Sequence, residues 1–175
     1  MTLREKILPV TTIIFDIDGV LTDGRIGYGC GSDQEIKFFH VRDGHAVRLA
    51  QRAGICTGVL SGRACDANNS RMRDLHMDFI YSGVLDKHEG ILRIFQERNL
   101  KPEECMYIGD DVVDARPMEL CGFSVVVGDG VPELDRVADY RTKHPGGAGA
   151  VREAIELLLK EQGKWDTLMK KYFDL

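Results

Sequence analysis

Residues 11–24 read TTIIFDIDGVLTDG. The first five form a β-branched, apolar run, the pattern of a short strand buried on both faces. The run stops at Asp16, and a second carboxylate follows at Asp18 beside Gly19. In an open α/β sheet, sites lie beyond the carboxyl ends of the strands, so this junction is a candidate site.

The rest of the chain repeats the strand. Residues 55–60, 78–81, 105–108 and 123–127 are further short apolar runs. Helical spacing fills the intervals. It runs from Asp43, read as an N-cap, through Ala46, Val47, Leu49, Ala50 and Ala53, then over 64–75, 87–99, 112–121 and 147–161. This alternation predicts an α/β fold, a Rossmann-like three-layer sandwich around a mostly parallel sheet. Residues 24–41 break it. RIGYG, CGSDQ and EIKFFH predict a β-hairpin flap about a glycine-rich turn. Ile26, Tyr28, Ile36, Phe38 and Phe39 give it more apolar surface than an isolated hairpin needs, so a cover is expected. Residues 163–175 are expected to be a loosely held tail.

The 175 residues suit one domain over 1–175. A net charge of -5 with scattered Lys and Arg argues against a nucleic-acid face. The five cysteines, Cys30, Cys56, Cys65, Cys105 and Cys121, are odd in number and form no CxxC pair. That fits free thiols in a reducing cytoplasm. Residues 1–12 do not read as a signal peptide, and no run approaches the roughly 20 apolar residues of a membrane span. His40, His45, His76, His88 and His144 lack metal-ligand spacing and are read as structural or surface groups.

Parallel strands would gather several polar groups at one edge: Asp16 and Asp18, then Ser61, Gly62 and Arg63, then Lys87, then Asp110, Asp111 and Asp114. Clustered carboxylates repel unless a cation binds among them, and oxygen ligands favour magnesium or calcium over zinc. An aspartate can attack phosphorus, and a carboxyl two residues on can move the proton. A hydroxyl and an ammonium can hold the transferring oxygens. Any one of these features is ordinary turn or cap chemistry. Their succession in this order, each at a strand end, is not.

DIDGVLTDG, KFFHVRDG (37–44), SGR (61–63), Lys87, GDDVVD (109–114) and GGAGAVRE (146–153) together resemble the haloacid dehalogenase superfamily. The closer resemblance is to its capless 3-deoxy-D-manno-octulosonate 8-phosphate phosphatase branch, and it covers about residues 11–163. It implies Asp16 as nucleophile and metal ligand. It implies Asp18 as general acid and base, with its main-chain carbonyl on Mg2+. Ser61 and Gly62 would bind the phosphoryl group, Lys87 would neutralise it, and Asp110 would complete the metal ligands. Asp111 and Asp114 would support the metal shell. The branch also implies a homotetramer joined through the hairpin, with a neighbour closing each site. Arg63 after the motif's Ser-Gly points to the 8-carbon acid, and Arg71, eight residues on, is expected to share its face and help bind a sugar-acid carboxylate. A 9-carbon sialic-type acid 9-phosphate, another small phosphoester, or a non-catalytic oligomerisation module on the same fold stay open as alternatives. Whether GGAGA is a mobile segment near the site or a helix N-terminal turn also stays open.

Overall fold

The computed structural model describes residues 1–29 and 35–173. Six strands form one parallel sheet: β1 (Thr12–Phe15), β4 (Cys56–Ser61), β5 (Phe79–Ser82), β6 (Cys105–Gly109), β7 (Phe123–Val126) and β8 (Tyr140–Arg141), in the order β5-β4-β1-β6-β7-β8. β1 runs parallel between β4 and β6, with Phe15 level with Val59 and Ile108. The carboxyl ends of these three strands therefore meet.

Side-chain alternation along β1 divides the core in two. Ile13 and Phe15 join the cluster formed with α1 (Leu3–Ile7), α2 (Val41–Arg52), α3 (Asp66–Asp74) and α6 (Ala150–Glu161). Ile14 joins Ile91 and Ile94 of α4 (Lys87–Arg98) and Met118 of α5 (Ala115–Leu120) on the other face. This is the expected three-layer sandwich. α6 shows why its sequence folds so: Val151, Ala154, Ile155, Leu158 and Leu159 recur three and four apart and are all fully buried. By the same alternation Asp16 continues on the Ile14 side, towards α4.

Between β1 and α2 the described residues hold only a two-stranded antiparallel piece, β2 (Gly27–Tyr28) and β3 (Glu35–Ile36), and a Thr22–Phe39 bridge. So there is no large cap among the described residues, and the hairpin is shorter than residues 24–41 suggested. Its expected turn, residues 30–34, lies outside the described residues. Tyr28, Phe38 and Val41 stay 70%, 71% and 79% exposed, so the apolar face is uncovered in one chain.

Several expectations are corrected. Asp43 does not cap α2, which starts at Val41; it lies inside that helix, buried, and accepts from the N–H groups of Gly149 (3.1 Å) and Arg152 (2.8 Å) at the start of α6. Residues 112–121 split into a 3-10 turn (Val112–Asp114) and α5. Residues 146–149 are a turn, and α6 begins only at Ala150. The tail is not loose up to residue 169. It forms α7 (Trp165–Met169), whose Trp165, Leu168 and Met169 pack on the core, with Arg152 and Lys160 over the Trp165 ring.

Candidate active site

Asp16 ends β1 and is 5% exposed. Its carboxylate meets the Lys87 Nζ at 2.9 Å. Lys87 opens α4, and Asp86 satisfies that helix end by accepting from the N–H groups of His88 and Glu89. The Lys87 ammonium also donates to Asp114 Oδ1 at 2.6 Å. Asp114 is fully buried and accepts from the Tyr107 hydroxyl (2.8 Å) and the Asp110 N–H (3.1 Å). Asp111 lines the cavity, and its side chain accepts from the Val112 N–H at 2.7 Å.

Asp16, Asp110 and Asp114 place carboxylate oxygens within 4.8 Å of one another. Three carboxylates against one ammonium leave two formal negative charges, which a divalent cation would balance. The titration directions agree. Burial pushes Asp16 up to about 6, helped by the Asp114 charge and opposed by Lys87. Burial lifts Asp110 to about 8, and Asp16 and Asp114 add to it. Burial pulls Lys87 down, but Asp16 and Asp114 outweigh it and hold its ammonium above the ordinary lysine range. An all-oxygen donor set of this charge fits Mg2+.

The cavity over this cluster measures about 580 Å³ and takes in Asp18, Ser61, Gly62 and Arg63. Its rim carries Leu85 and Val113, 88% and 54% exposed. Ser61 ends β4, 1% exposed, with its hydroxyl bonded to the Arg63 main chain at 3.2 Å. Arg63 reaches Glu35 at 2.8 Å and Asp18 at 3.5 Å. Two groups were not singled out from the sequence. Lys37 buries its side chain completely and donates to Asp18 Oδ1, and Glu35 holds Arg63. The alternating E-I-K of the hairpin, with two charges on one side of a strand, was their sequence signal.

Arg71 is not brought to the cavity. Its guanidinium lies over the Phe39 ring at 5.8 Å and beside Gly44. The eight-residue spacing from Arg63 misleads because Arg63 precedes α3 and shares no helix with Arg71.

The glycine segment leans on the loop that follows Asp16. The Gly147 N–H donates to the Val20 carbonyl at 2.9 Å, and a Cβ on Gly146 would meet the Gly19 carbonyl. Gly147 also has φ +60, and a Cβ there would strike the backbone of Thr22 and Asp23. In this structure the segment is both a turn before α6 and a brace for the site.

An α/β sheet with no large cap among the described residues and a buried Asp-Lys-Asp cluster beyond its first strand fits a phosphoryl-transfer hydrolase. A haloacid dehalogenase-like hydrolase model matches residues 64–155. The 3-deoxy-D-manno-octulosonate 8-phosphate phosphatase of Escherichia coli strain K12 is 39% identical over 157 residues, 90% of this chain and 83% of the relative. That of Haemophilus influenzae is 35% identical over 162 residues, 93% and 89% of the two chains. The crystal structure of the Moraxella catarrhalis phosphatase of the same name, in complex with magnesium ion, phosphate ion and KDO, superposes with a TM-score of 0.94 at 31% identity, covering 98% of each chain. The chain belongs to the haloacid dehalogenase-like hydrolases, in their 3-deoxy-D-manno-octulosonate 8-phosphate phosphatase branch, and is a phosphatase.

Proposed function

We propose that this chain is a Mg2+-dependent phosphatase of 3-deoxy-D-manno-octulosonate 8-phosphate, acting in lipopolysaccharide precursor synthesis. The observation that carries the reading is the buried Asp16 carboxylate, 2.9 Å from Lys87, at the floor of a cavity that also holds Asp18, Ser61 and Arg63. Asp16 attacks phosphorus while the ester P–O bond breaks, and Asp18 gives the leaving alkoxide its proton. Asp18 then takes a proton from water, which attacks the aspartyl-phosphate and frees Asp16. Ser61, Gly62 and Lys87 hold the phosphoryl oxygens, and Arg63 faces the sugar-acid carboxylate. The residues that would hold Mg2+ are the Asp16 and Asp110 carboxylates and the Asp18 main-chain carbonyl, with Asp111 and Asp114 supporting them. Bound there, Mg2+ would offset the negative charge of the nucleophile and of the phosphate.

Residues 1–175 are read as one domain. Among the described residues no helix is long and apolar enough to cross a membrane; the location proposed for the enzyme is the cytoplasm. The exposed Tyr28, Phe38 and Val41 support a homotetramer built through the hairpin. Light scattering should give about four times 19.6 kDa. With Mg2+ the protein should release phosphate from the 8-carbon substrate faster than from the 9-carbon acid 9-phosphate. Asp16→Asn should abolish release. Full activity in that variant or in excess chelator refutes the mechanism, and faster turnover of the 9-carbon ester refutes the substrate.

A further inference from the structure

The cations of the cavity differ in their counter-charges. Lys87 is held by Asp16 and Asp114, which belong to the carboxylate cluster. Arg63 is held at 2.8 Å by Glu35, which arrives from the hairpin and does not line the cavity. Arg63 is also 3.5 Å from Asp18, whose other oxygen takes Lys37. Two carboxylates and two cations thus cancel in a closed quartet, which a second anion must enter.

The quartet is built for exchange at one bond. The Glu35 Oε2 is buried, makes no hydrogen bond among the described residues, and lies 3.5 Å from the Lys37 ammonium. If Glu35 lets go of Arg63, its charge is not stranded, because Lys37 is already beside it. Arg63, 44% exposed, keeps the freedom to turn towards the cavity. Its planar fork accepts any carboxylate in the geometry it now gives Glu35.

We propose that Glu35 stands in for the substrate's carboxylate, and that a sugar acid binds by taking Arg63 from it. This rests on the sugar-acid reading given above. Glu35 is then a specificity residue. A phosphoester without a carboxylate cannot make the exchange and leaves Arg63 closed, whereas an acid replaces one carboxylate with another.

The test compares kcat/KM for 3-deoxy-D-manno-octulosonate 8-phosphate with that for glucose 6-phosphate, with Mg2+, in wild type, Glu35→Gln, Arg63→Gln and the double variant. Taking the ratio cancels effects on steps common to both substrates. Glu35→Gln should raise the ratio by about threefold or more, the scale of a partly exposed ion pair, through a lower KM for the acid. Arg63→Gln should lower the ratio, and Glu35→Gln should then add nothing, since the two act on one bond. An unchanged or lowered ratio in Glu35→Gln, or equal effects in both backgrounds, sinks the exchange. A wild-type ratio near one sinks the sugar-acid reading along with it. A high wild-type ratio with an inert Glu35→Gln sinks the exchange alone.

Discussion

Consider Lys87→Met. The side chain keeps most of its length and loses its ammonium, which lies 2.9 Å from Asp16 and 2.6 Å from Asp114 with almost no exposure. Removing one partner of a buried ion pair costs about 3–5 kcal/mol, because the other charge is left uncompensated. Here the cost depends on pH. Asp16 and Asp110 already titrate high, at about 6 and about 8 against an ordinary 3.8. A carboxylate with a raised folded value favours the folded state while protonated, and that stability is lost as pH rises through the folded value. Taking Lys87 away raises these values further. At about pH 8, with chelator, the variant should therefore show the larger loss, about 3–5 kcal/mol. At about pH 5, Asp16 and Asp110 mostly carry protons, and the loss should fall by roughly half. Urea unfolding followed by circular dichroism at both pH values measures this. Phosphate release should be lost at both, since Lys87 faces the nucleophile. A loss of stability below about 1 kcal/mol, or one that does not change with pH, would refute the claim that Lys87 compensates the carboxylate cluster.

Other outcomes follow from the same geometry. In chelator the wild type should lose stability as pH rises from about 4 to about 8, and the Tm gain on adding Mg2+ should grow over that interval, because the cation replaces protons on Asp16 and Asp110. Asp110→Asn should raise the chelator Tm near neutral pH by removing the cost of keeping a buried carboxyl protonated well above its ordinary range, while abolishing the Mg2+ gain and the activity; thermal scans with and without Mg2+ check this. Gly147→Ala should cost about 2 kcal/mol or more, since φ is +60 and the new Cβ meets the backbone of the loop carrying Asp18, and kcat should fall with it. Asp43→Ala should cost about 1–2 kcal/mol in urea unfolding by freeing the N–H groups of Gly149 and Arg152.

What was legible in the sequence depended on how far each signal had to reach. Asp16, Ser61 and Asp110 each stand at or just after the end of an apolar run, Lys87 opens the helix that follows another, and parallel pairing brings such ends together whatever the side chains do. The fold and the centre of the site therefore follow from local patterns. Helix α1 carried a local signal too, the Thr2–Glu5 capping box, but its five residues are too short for periodicity to register. Strand β8 has two residues and no such pattern.

Groups that serve an element other than their own were not legible. Asp43 has the sequence signature of a cap for α2, yet its carboxylate caps α6, more than a hundred residues away. Asp43 holds the Gly149 N–H, Asp129 holds the Gly146 N–H at 2.8 Å, and Gly147 between them holds the Val20 carbonyl. The loop after Asp16 is thus braced from outside by a turn that α2 anchors, as well as from inside by Thr22, whose hydroxyl accepts the Gly19 and Gly24 N–H groups. An internal brace alone fixes the loop's shape but not its place over β6. The external one ties it to the turn before α6, and Gly19 lets it lie close to Asp110, since a Cβ there would fall 2.0 Å from that carboxylate. The glycines on both sides of this contact are required by the approach of two backbones, and so the late glycine segment and the early DIDG segment form one site.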